Sequence, residues 1–382
     1  MPSYRKPEMK LLPLAALLFL GNALADPLPI PSAPQVDARN YALFDPASGQ
    51  ILAQKDADSR VPPASLTKLM TAYLTFQALS SGHLSLGQNI QVSREAWKAG
   101  GSTMFLQPDL PANVEQAIQG MVVVSGNDAA VALAEAVAGN TQSFVQMMNA
   151  SAQKLGMTQT HFVDVDGLPD PTHLTSARDI GILTEAIIRE FPQYLHYFSE
   201  KTFTYNRITQ NNWNPLVFTD STVTGMKTGH TDEAGYCLDA TARRGGRTLI
   251  AVVLGASTRG DSAKSAEALL DYGFRFFETH RAYAAGQNIE TISDPAAVSG
   301  KIPLGPDHDI WVTVASGAYP TIRPRLVLPK EIPLPLKKGQ AVGKLVLENG
   351  TTQVAEFPLV ALKPVEKAGW MTRLWNMAKA RL

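Results

Sequence analysis

The segment around Ser65 constrains the fold most, because a chain break stands directly before a strongly helical run. Pro62 and Pro63 disfavour a helix, whereas the run from Leu66 to Leu79 favours one. Apolar residues recur in this run at spacings of three and four, which predicts a helix with a buried face. They are Leu66, Leu69, Met70, Tyr73, Leu74 and Ala78. Ser65 is therefore expected at the start of a core helix, and Lys68 follows one turn later on the same face.

Two triplets further along the chain make this Ser-x-x-Lys pattern a specific signal. Ser125-Gly126-Asn127 and Lys227-Thr228-Gly229 each occur once and in that order. Ser-x-x-Lys alone is a weak signal, since it recurs at Ser3 to Lys6 and at Ser151 to Lys154 with nothing matching behind it. The joint pattern is specific, and it is typical of serine enzymes that form an acyl intermediate.

The residue types in this pattern suit nucleophilic catalysis. A serine hydroxyl is a weak nucleophile and needs a base beside it. Lys68 is that base if burial and a nearby cation such as Lys227 lower its pKa. The helix start offers N–H donors to a developing oxyanion, while Ser125 relays a proton to the leaving amine and Asn127 holds a substrate amide. We therefore predict Ser65 as the nucleophile, and we expect no metal or cofactor, because no metal-ligand motif stands in the sequence.

The third triplet is predicted on an edge strand that pairs with an extended peptide substrate. Gly229 lets the substrate backbone come close, and Lys227 and Thr228 hold a carboxylate. His230 follows directly, and it either lines the site or faces solvent. In this interpretation, the backbone N–H of His230 is a further donor to the oxyanion, beside those at the helix start.

Each of these residues also has an ordinary structural interpretation. Ser65 would suit the N-cap of the helix, and Asn127 with Asp128 would suit a cap of another. Lys227 would suit a solvated charge beside a turn. We favour the site because all three motifs occur together in one chain.

Periodicity along the chain predicts a sheet with helices around it. Strands and helices alternate in blocks rather than as repeated strand–helix units, which indicates an α+β fold with an antiparallel sheet. The predicted strands are Tyr41 to Phe44, Ile51 to Ala53, Val223 to Thr228, Tyr236 to Ala242 and Thr248 to Leu254. The predicted helices span residues 113–138, 141–155, Ile180 to Arg189 and 264–279, with an irregular loop at 156–175.

The hydrophobic pattern of the sequence changes in the C-terminal third. Short alternating runs with Pro and Gly between them predict a small all-β domain over residues 284–363. Residues 364–382 then form an amphipathic pattern, in which Trp370 and Trp375 share a face and basic residues flank them. This pattern predicts a helix that attaches to a membrane surface, and packing of the helix on the protein itself is the alternative.

The N-terminal sequence predicts that the protein is exported from the cytoplasm. Residues 1–25 combine basic residues, a short apolar run and Ala23-Leu24-Ala25, which is typical of a cleaved signal peptide; a retained anchor helix is the alternative. The catalytic domain is then expected over residues 26–283. The 34 basic and 34 acidic residues balance, so no net field favours nucleic acid as a partner. Cys237 is the one cysteine, so no internal disulfide forms, and an apolar strand pattern surrounds it.

These motifs resemble the low-molecular-weight penicillin-binding proteins, more narrowly the type-5 D-alanyl-D-alanine carboxypeptidases of peptidase family S11. The resemblance covers nearly the whole chain. Besides the three motifs, it is carried by Met104-Phe105-Leu106, Asp128-Ala129, Gly167-Leu168, Thr175 to Asp179 and Met226 to Asp232.

The resemblance implies a reaction, a substrate and a location. The expected enzyme removes the terminal D-alanine from peptidoglycan stem pentapeptides through an acyl-enzyme on Ser65, and β-lactams acylate the same serine. It implies Lys68 as base, His230 as a wall of the site, and a periplasmic protein attached peripherally to the outer face of the inner membrane, with a part in cell shape. The family also places an Arg shortly after the third strand. Here Arg259-Gly260-Asp261 stands there, one residue shorter, which leaves open the residue that binds the terminal carboxylate.

Three other functions compete with this one. A class A β-lactamase would need a Glu in the loop 156–175, which holds Asp164, Asp166 and Asp170 but no Glu. A D,D-endopeptidase is disfavoured by resemblance alone. The third is a catalytically weak cell-wall-binding or shape-maintaining protein; the intact Ser65, Lys68 and Lys227 argue against a dead enzyme but not against very slow turnover.

Overall fold

A computed structural model describes residues 30–379 of the chain. The predicted signal peptide lies outside the described residues, as do the last three residues of the predicted C-terminal helix. In the part that is described, no helix is both long and apolar enough to cross a membrane.

A central five-stranded sheet organises the first two thirds of the chain. Its strand order is β2-β1-β9-β8-β7, and every neighbouring pair is antiparallel. The strands are β1 (Asn40–Asp45), β2 (Gln50–Lys55), β7 (Val223–Thr231), β8 (Gly235–Arg244) and β9 (Arg247–Ala256). Two short pairs lie outside this sheet, β3 (Asn89–Ile90) with β4 (Ala112–Asn113), and β5 (Thr202–Tyr205) with β6 (Ile208–Asn211). The order leaves β7, which carries Lys227-Thr228-Gly229, at one edge.

Helices cover both faces of the sheet. They are α1 (Lys68–Ser80), α2 (Arg94–Trp97), α3 (Val114–Val123), α4 (Asn127–Ala138), α5 (Thr141–Leu155), α6 (Ala177–Glu190), α7 (Leu216–Thr219) and α8 (Arg259–Phe276). The larger core packs α1 and α3 to α6 on one face, and α8 covers the other. Strand β8 shows why both faces are apolar, since Cys237 enters the first core and Leu238 the second. The predicted α+β fold is confirmed.

Two predicted helices are shorter than periodicity suggested. Residues 113–138 form two helices, because Ser125 adopts a left-handed φ of 59° and breaks the pattern between them. Residues 277–279 leave α8 and begin a strand, since Phe277 pairs with Ala315 in an antiparallel ladder. Both differences arise from backbone geometry that apolar spacing does not report.

The C-terminal third is rich in strands and has its own core. The strands are β10 (Phe277–Tyr283), β11 (Glu290–Ser293), β12 (Lys301–Gly305), β13 (Ile310–Ala315), β14 (Ile322–Val327), β15 (Ala341–Asn349) and β16 (Thr352–Ala361). β10 pairs with β13, and the other five form a sheet in the order β11-β12-β16-β15-β14. Asn349 pairs with Thr352 across a tight turn that contains Asn349-Gly350, a dipeptide favoured in hairpin turns. The domain boundaries drawn from the sequence stay predictions.

A final helix, α9 (Trp370–Lys379), follows the β-rich part. Its large apolar side chains do not pack into a core: Trp370 is 71% exposed and Trp375 is 63% exposed. Met371 and Leu374 are exposed as well. Asn376 ties the helix to the β-rich part, because its side-chain amide donates to the carbonyl of Ala297.

Candidate active site

Ser65 lies in a short 3₁₀ turn, Ala64–Thr67, which leads directly into α1. Side chains three residues apart eclipse each other in this tighter helix, so Lys68 stands directly beside Ser65. The Nζ of Lys68 donates to Ser65 Oγ at 2.8 Å and to the carbonyl oxygen of Asp166 at 2.7 Å. No side-chain oxygen caps the turn or α1, so the Ser65 hydroxyl is not used as a helix cap.

Burial is the main influence on the pKa of Lys68. The side chain is fully buried, and this desolvation lowers its pKa to about 8, although Asp166, Asp164 and Asp128 act in the opposite direction. An amine with such a pKa is in part neutral at physiological pH, and a neutral amine accepts a proton from a hydroxyl at hydrogen-bond distance. Lys68 therefore meets both the geometric and the electrostatic requirement for a general base.

Ser125 lies opposite, in the break between α3 and α4. Its left-handed backbone conformation projects the residue into the site, and strained conformations of this kind cluster at functional positions. The Nζ of Lys227 donates to Ser125 Oγ at 2.9 Å and to the carbonyl of Thr228. Lys227 is 2% exposed, and burial together with the charge of Lys68 holds its pKa well below the usual value, so it is not a solvated surface charge.

Asn127 begins α4 and is nearly fully buried. Its side-chain Nδ2 donates to the carbonyl of Gly100 at 2.6 Å. Its Oδ1 is buried and accepts no hydrogen bond from the described residues. An unsatisfied buried acceptor is costly, and an incoming amide N–H would satisfy it.

Strand β7 forms the third wall. A Cβ added to Gly229 would lie 3.0 Å from the backbone N of Ser65 and 3.1 Å from Ala64 Cβ, so a side chain at this position would crowd the turn that carries Ser65. Because β7 is an edge strand, one of its sides pairs with no other strand of this sheet. His230 is exposed, and its ring stacks on Tyr236 with centroids 4.0 Å apart.

A cavity of about 180 Å³ lies between these walls. Its lining includes Ser65, Ser125, Thr228, Gly229 and His230. Lys68 and Lys227 stand behind the lining, where each contacts one of the two serines. The backbone N–H of Asn127 donates to the carbonyl of Ser102, which also lines the cavity. The structure thus brings all the residues singled out from the sequence to one place.

Of the residues that line this cavity, sequence reasoning gave Trp213 no role and left open whether Arg259 binds the terminal carboxylate. Both residues line the cavity, and the Arg259 guanidinium lies 4.1 Å above the Trp213 ring. Arg259 is the first residue of α8. No local pattern marks Trp213, because its partner is distant in the chain.

Loop 156–175 also contributes more than its composition indicated. The carbonyl of Asp166 accepts from both Lys68 and Ser65. Its carboxyl group is buried beside Asp164, and burial raises the pKa of Asp166 to about 6. A backbone carbonyl carries no side-chain signature, so no sequence pattern indicated this contact.

Comparison with known families gives two matches along the chain. Residues 29–258 match the family described as D-alanyl-D-alanine carboxypeptidase, Peptidase S11. Residues 277–367 match the family described as penicillin-binding protein 5, C-terminal domain.

Individual relatives cover nearly the whole chain. D-alanyl-D-alanine carboxypeptidase DacC of Escherichia coli is 39% identical over 94% of this chain and 92% of its own length. DacA of the same organism is 38% identical over 97% of this chain and 96% of its own. The crystal structure of penicillin binding protein 5 from Haemophilus influenzae superposes with a TM-score of 0.85 at 37% identity, covering 88% of this chain and all of that one. Penicillin-binding protein D2 of Listeria monocytogenes, in its ampicillin-bound form, is 31% identical with a TM-score of 0.59 and covers 64% of this chain and all of its own.

Proposed function

The chain belongs to the peptidase S11 family of D-alanyl-D-alanine carboxypeptidases, the penicillin-binding type, and we propose that Ser65 is the nucleophile of its reaction. The observation that carries this assignment is the 2.8 Å contact between Ser65 Oγ and the buried amine of Lys68. The substrate is a peptidoglycan stem peptide that ends in D-Ala-D-Ala, and β-lactams acylate the same serine.

In the first half of the reaction, Ser65 Oγ attacks the carbonyl carbon of the penultimate D-alanine. The hydroxyl proton passes to Lys68 Nζ as the C–O bond forms. Backbone N–H groups of Ser65 and His230 stabilise the negative charge on the carbonyl oxygen. The C–N bond then breaks: Ser125 passes its hydroxyl proton to the amine of the departing D-alanine and takes up the proton that Lys68 received, so that Lys68 is neutral again. Lys227 holds the Ser125 hydroxyl during this transfer.

In the second half, water attacks the ester carbonyl of the acyl-enzyme. Lys68 takes a proton from that water, and the proton returns to Ser65 Oγ as the ester bond breaks. The released peptide is one residue shorter, and the enzyme is restored.

Binding of the substrate uses the walls already described. The extended peptide pairs with the open side of β7, and Asn127 Oδ1 accepts from a substrate amide. Thr228 and Lys227 attract the terminal carboxylate, and Arg259 adds a guanidinium at the same cavity. The cation among the residues that line this cavity is the guanidinium of Arg259. We therefore assign the contact with the terminal carboxylate to this residue.

The direct test is release of D-alanine from a peptide ending in D-Ala-D-Ala. We expect release by the mature chain, none from the matching peptide that ends in D-Ala-L-Ala, and covalent labelling by fluorescent penicillin. Labelling without any release would contradict the carboxypeptidase reaction and favour a wall-binding role.

We further propose that the protein is exported by residues 1–25 and rests on the outer face of the inner membrane through residues 364–382. The support is the exposed apolar face of α9, with Trp370, Met371, Leu374 and Trp375 open to solvent. Lys379 lies over the Trp375 ring, so positive charge is available near lipid headgroups.

Deletion of residues 364–382 is expected to move the protein from membranes to the soluble fraction, because it removes the exposed apolar face. Trp375→Glu should weaken membrane association in the same direction. Trp97→Glu is the matched control, since Trp97 is a half-exposed tryptophan elsewhere on the surface. Sedimentation with liposomes measures all three. Unchanged sedimentation after the deletion would contradict the anchor.

A further inference from the structure

The carboxylate of Asp128 is buried in the first turn of α4, and the reaction described above gives it no part. It accepts four hydrogen bonds, of which one comes from its own helix and three come from loop 100–106. Within the loop, the backbone N–H of Met104 donates to Oδ1 at 3.0 Å. The N–H of Leu106 donates to Oδ2 at 2.9 Å, and the Thr103 hydroxyl donates to the same oxygen. A buried carboxylate needs such donors, so the carboxylate and the loop stabilise each other.

Loop 100–106 in turn fixes the side chain of Asn127. The carbonyl of Gly100 accepts from Asn127 Nδ2 at 2.6 Å, and the carbonyl of Ser102 accepts from the backbone N–H of Asn127 at 2.7 Å. A Cβ on Gly101 would lie 2.8 Å from Asn127 Nδ2, so the loop backbone packs directly on the amide. The loop therefore holds Asn127 through both its backbone and its side chain.

The contact with Gly100 decides which end of the Asn127 amide is left for the substrate. Rotation of the amide by half a turn would place Oδ1 against the Gly100 carbonyl, and two acceptors cannot form a hydrogen bond. In the observed orientation Nδ2 is used, whereas Oδ1 is buried and accepts no hydrogen bond from residues 30–379. Oδ1 is the atom to which the proposed reaction assigns a substrate amide.

The shape of the loop depends on the carboxylate, as Phe105 shows. This residue adopts a left-handed φ of 69°, and its side chain is 41% exposed. Such a conformation is unfavourable for a bulky residue and persists only where surrounding contacts enforce it. The N–H groups of both neighbours of Phe105 donate to Asp128. The N–H of Phe105 donates to Thr103 Oγ1, whose hydroxyl also donates to Asp128.

We propose that Asp128 is a positioning residue: its carboxylate fixes loop 100–106, and the carbonyls of this loop orient Asn127 so that Oδ1 is offered to the substrate amide. The inference rests on the proposed function, because that function assigns the amide contact to Asn127. The carboxylate of Asp128 lies behind the loop and acts only through it. Its effect on the reaction should therefore disappear when the Asn127 side chain is absent.

The test is a double-mutant cycle of Asp128→Asn and Asn127→Ala, measured as D-alanine release from an Nα-acetylated tripeptide that ends in D-Ala-D-Ala. The assay is run at pH 9, because the charge of Asp128 raises the pKa of Lys68, which is about 8, and the base is then largely neutral in every variant. Asp128→Asn alone should lower kcat/KM about tenfold. The change should lie chiefly in KM, since a held amide contributes to binding in the ground state and the transition state alike. In Asn127→Ala the same substitution should change kcat/KM by less than about twofold.

Thr103→Val is a milder second variant, since it removes one donor to the carboxylate and leaves Asp128 in place. It should lower kcat/KM about threefold, again only while Asn127 is present, and it carries the test if Asp128→Asn does not melt as a cooperative folded protein. Asp45→Asn is the matched control, because Asp45 is a fully buried carboxylate that accepts from a backbone N–H and pairs with Arg247 outside the catalytic cavity. This variant should keep the parent's kcat/KM.

Three results would overturn the inference and leave the proposed function standing. They are kcat/KM at the parent's level in both Asp128→Asn and Thr103→Val, a loss that persists at full size in Asn127→Ala, and a loss that falls on kcat with KM unchanged. The last two would mean that Asp128 acts on another part of the site. No release of D-alanine by the parent would refute the proposed function and this inference with it.

Discussion

Ser65→Ala is expected to abolish D-alanine release, with a fall in kcat of at least about 10⁴-fold. The reason is that no other hydroxyl can replace the one that Lys68 contacts, and Ser125 Oγ is held by Lys227 instead. Covalent labelling by fluorescent penicillin should disappear in the same variant, because the acyl group has no oxygen to join. Intact-mass spectrometry after incubation with penicillin checks this, since only the parent should gain the mass of the inhibitor.

The fold should tolerate this change. The Ser65 hydroxyl caps no helix, and its contacts are with Lys68 and the carbonyl of Asp166. We expect the free energy of unfolding to change by about 1 kcal/mol or less, so the melting temperature should stay within a few degrees of the parent. A loss of activity with an intact melting curve therefore reports chemistry and not unfolding.

Ser151→Ala supplies the control within the same chain. Ser151 and Lys154 repeat the Ser-x-x-Lys pattern, but they lie in the body of α5, and Lys154 is exposed. This variant should release D-alanine at the parent's rate. Release by Ser65→Ala near the parent's level would contradict the assignment of the nucleophile.

The sequence predicted which candidate residues lie together where they are close in the chain. Ser65 and Lys68 are three residues apart, and Lys227, Thr228 and Gly229 are consecutive, so local geometry alone brings each group together. The placement of the triplet on a strand followed from the apolar pattern. Gly229 packs closely on the backbone of Ser65, and the predicted approach of a substrate backbone stays a prediction. The edge position of this strand was predicted from its expected pairing with a peptide, and the strand order places β7 at the edge; the order of the other strands is not encoded locally.

The contacts that sequence reasoning missed are those made by the backbone or across long separations. The carbonyl of Asp166 binds Lys68 whichever side chain the residue carries, so residue identity does not report the contact. The left-handed conformation of Ser125 splits one periodic apolar run into two helices, and apolar spacing does not detect it. The pairing of Trp213 with Arg259 joins a loop to the start of α8, and it depends on how those elements pack.

Lys68→Arg is expected to lower kcat/KM for D-alanine release by about 10³-fold, the scale of a lost general base. The substitution keeps the positive charge but replaces an amine that can lose its proton with a guanidinium that does not. The fall should appear in penicillin acylation as well, because the same proton leaves Ser65 in both reactions. Lys154→Arg is the control, since it makes the same change at the exposed lysine of the second Ser-x-x-Lys pattern.

The pH dependence of kcat/KM shows whether Lys68→Arg loses activity because a base is missing or because the larger arginine disturbs the packing. Burial lowers the pKa of Lys68 to about 8, and the base must be neutral to act. For the parent, kcat/KM should therefore rise about tenfold per pH unit below that value and level off above it, the direction expected of a group that works when deprotonated. In Lys68→Arg the residual rate should lack this inflection, and the same is expected of Lys68→Met. Cooperative melting of both variants would show that they are folded. A Lys68→Arg profile that still rises through pH 8 would show that another group is the base.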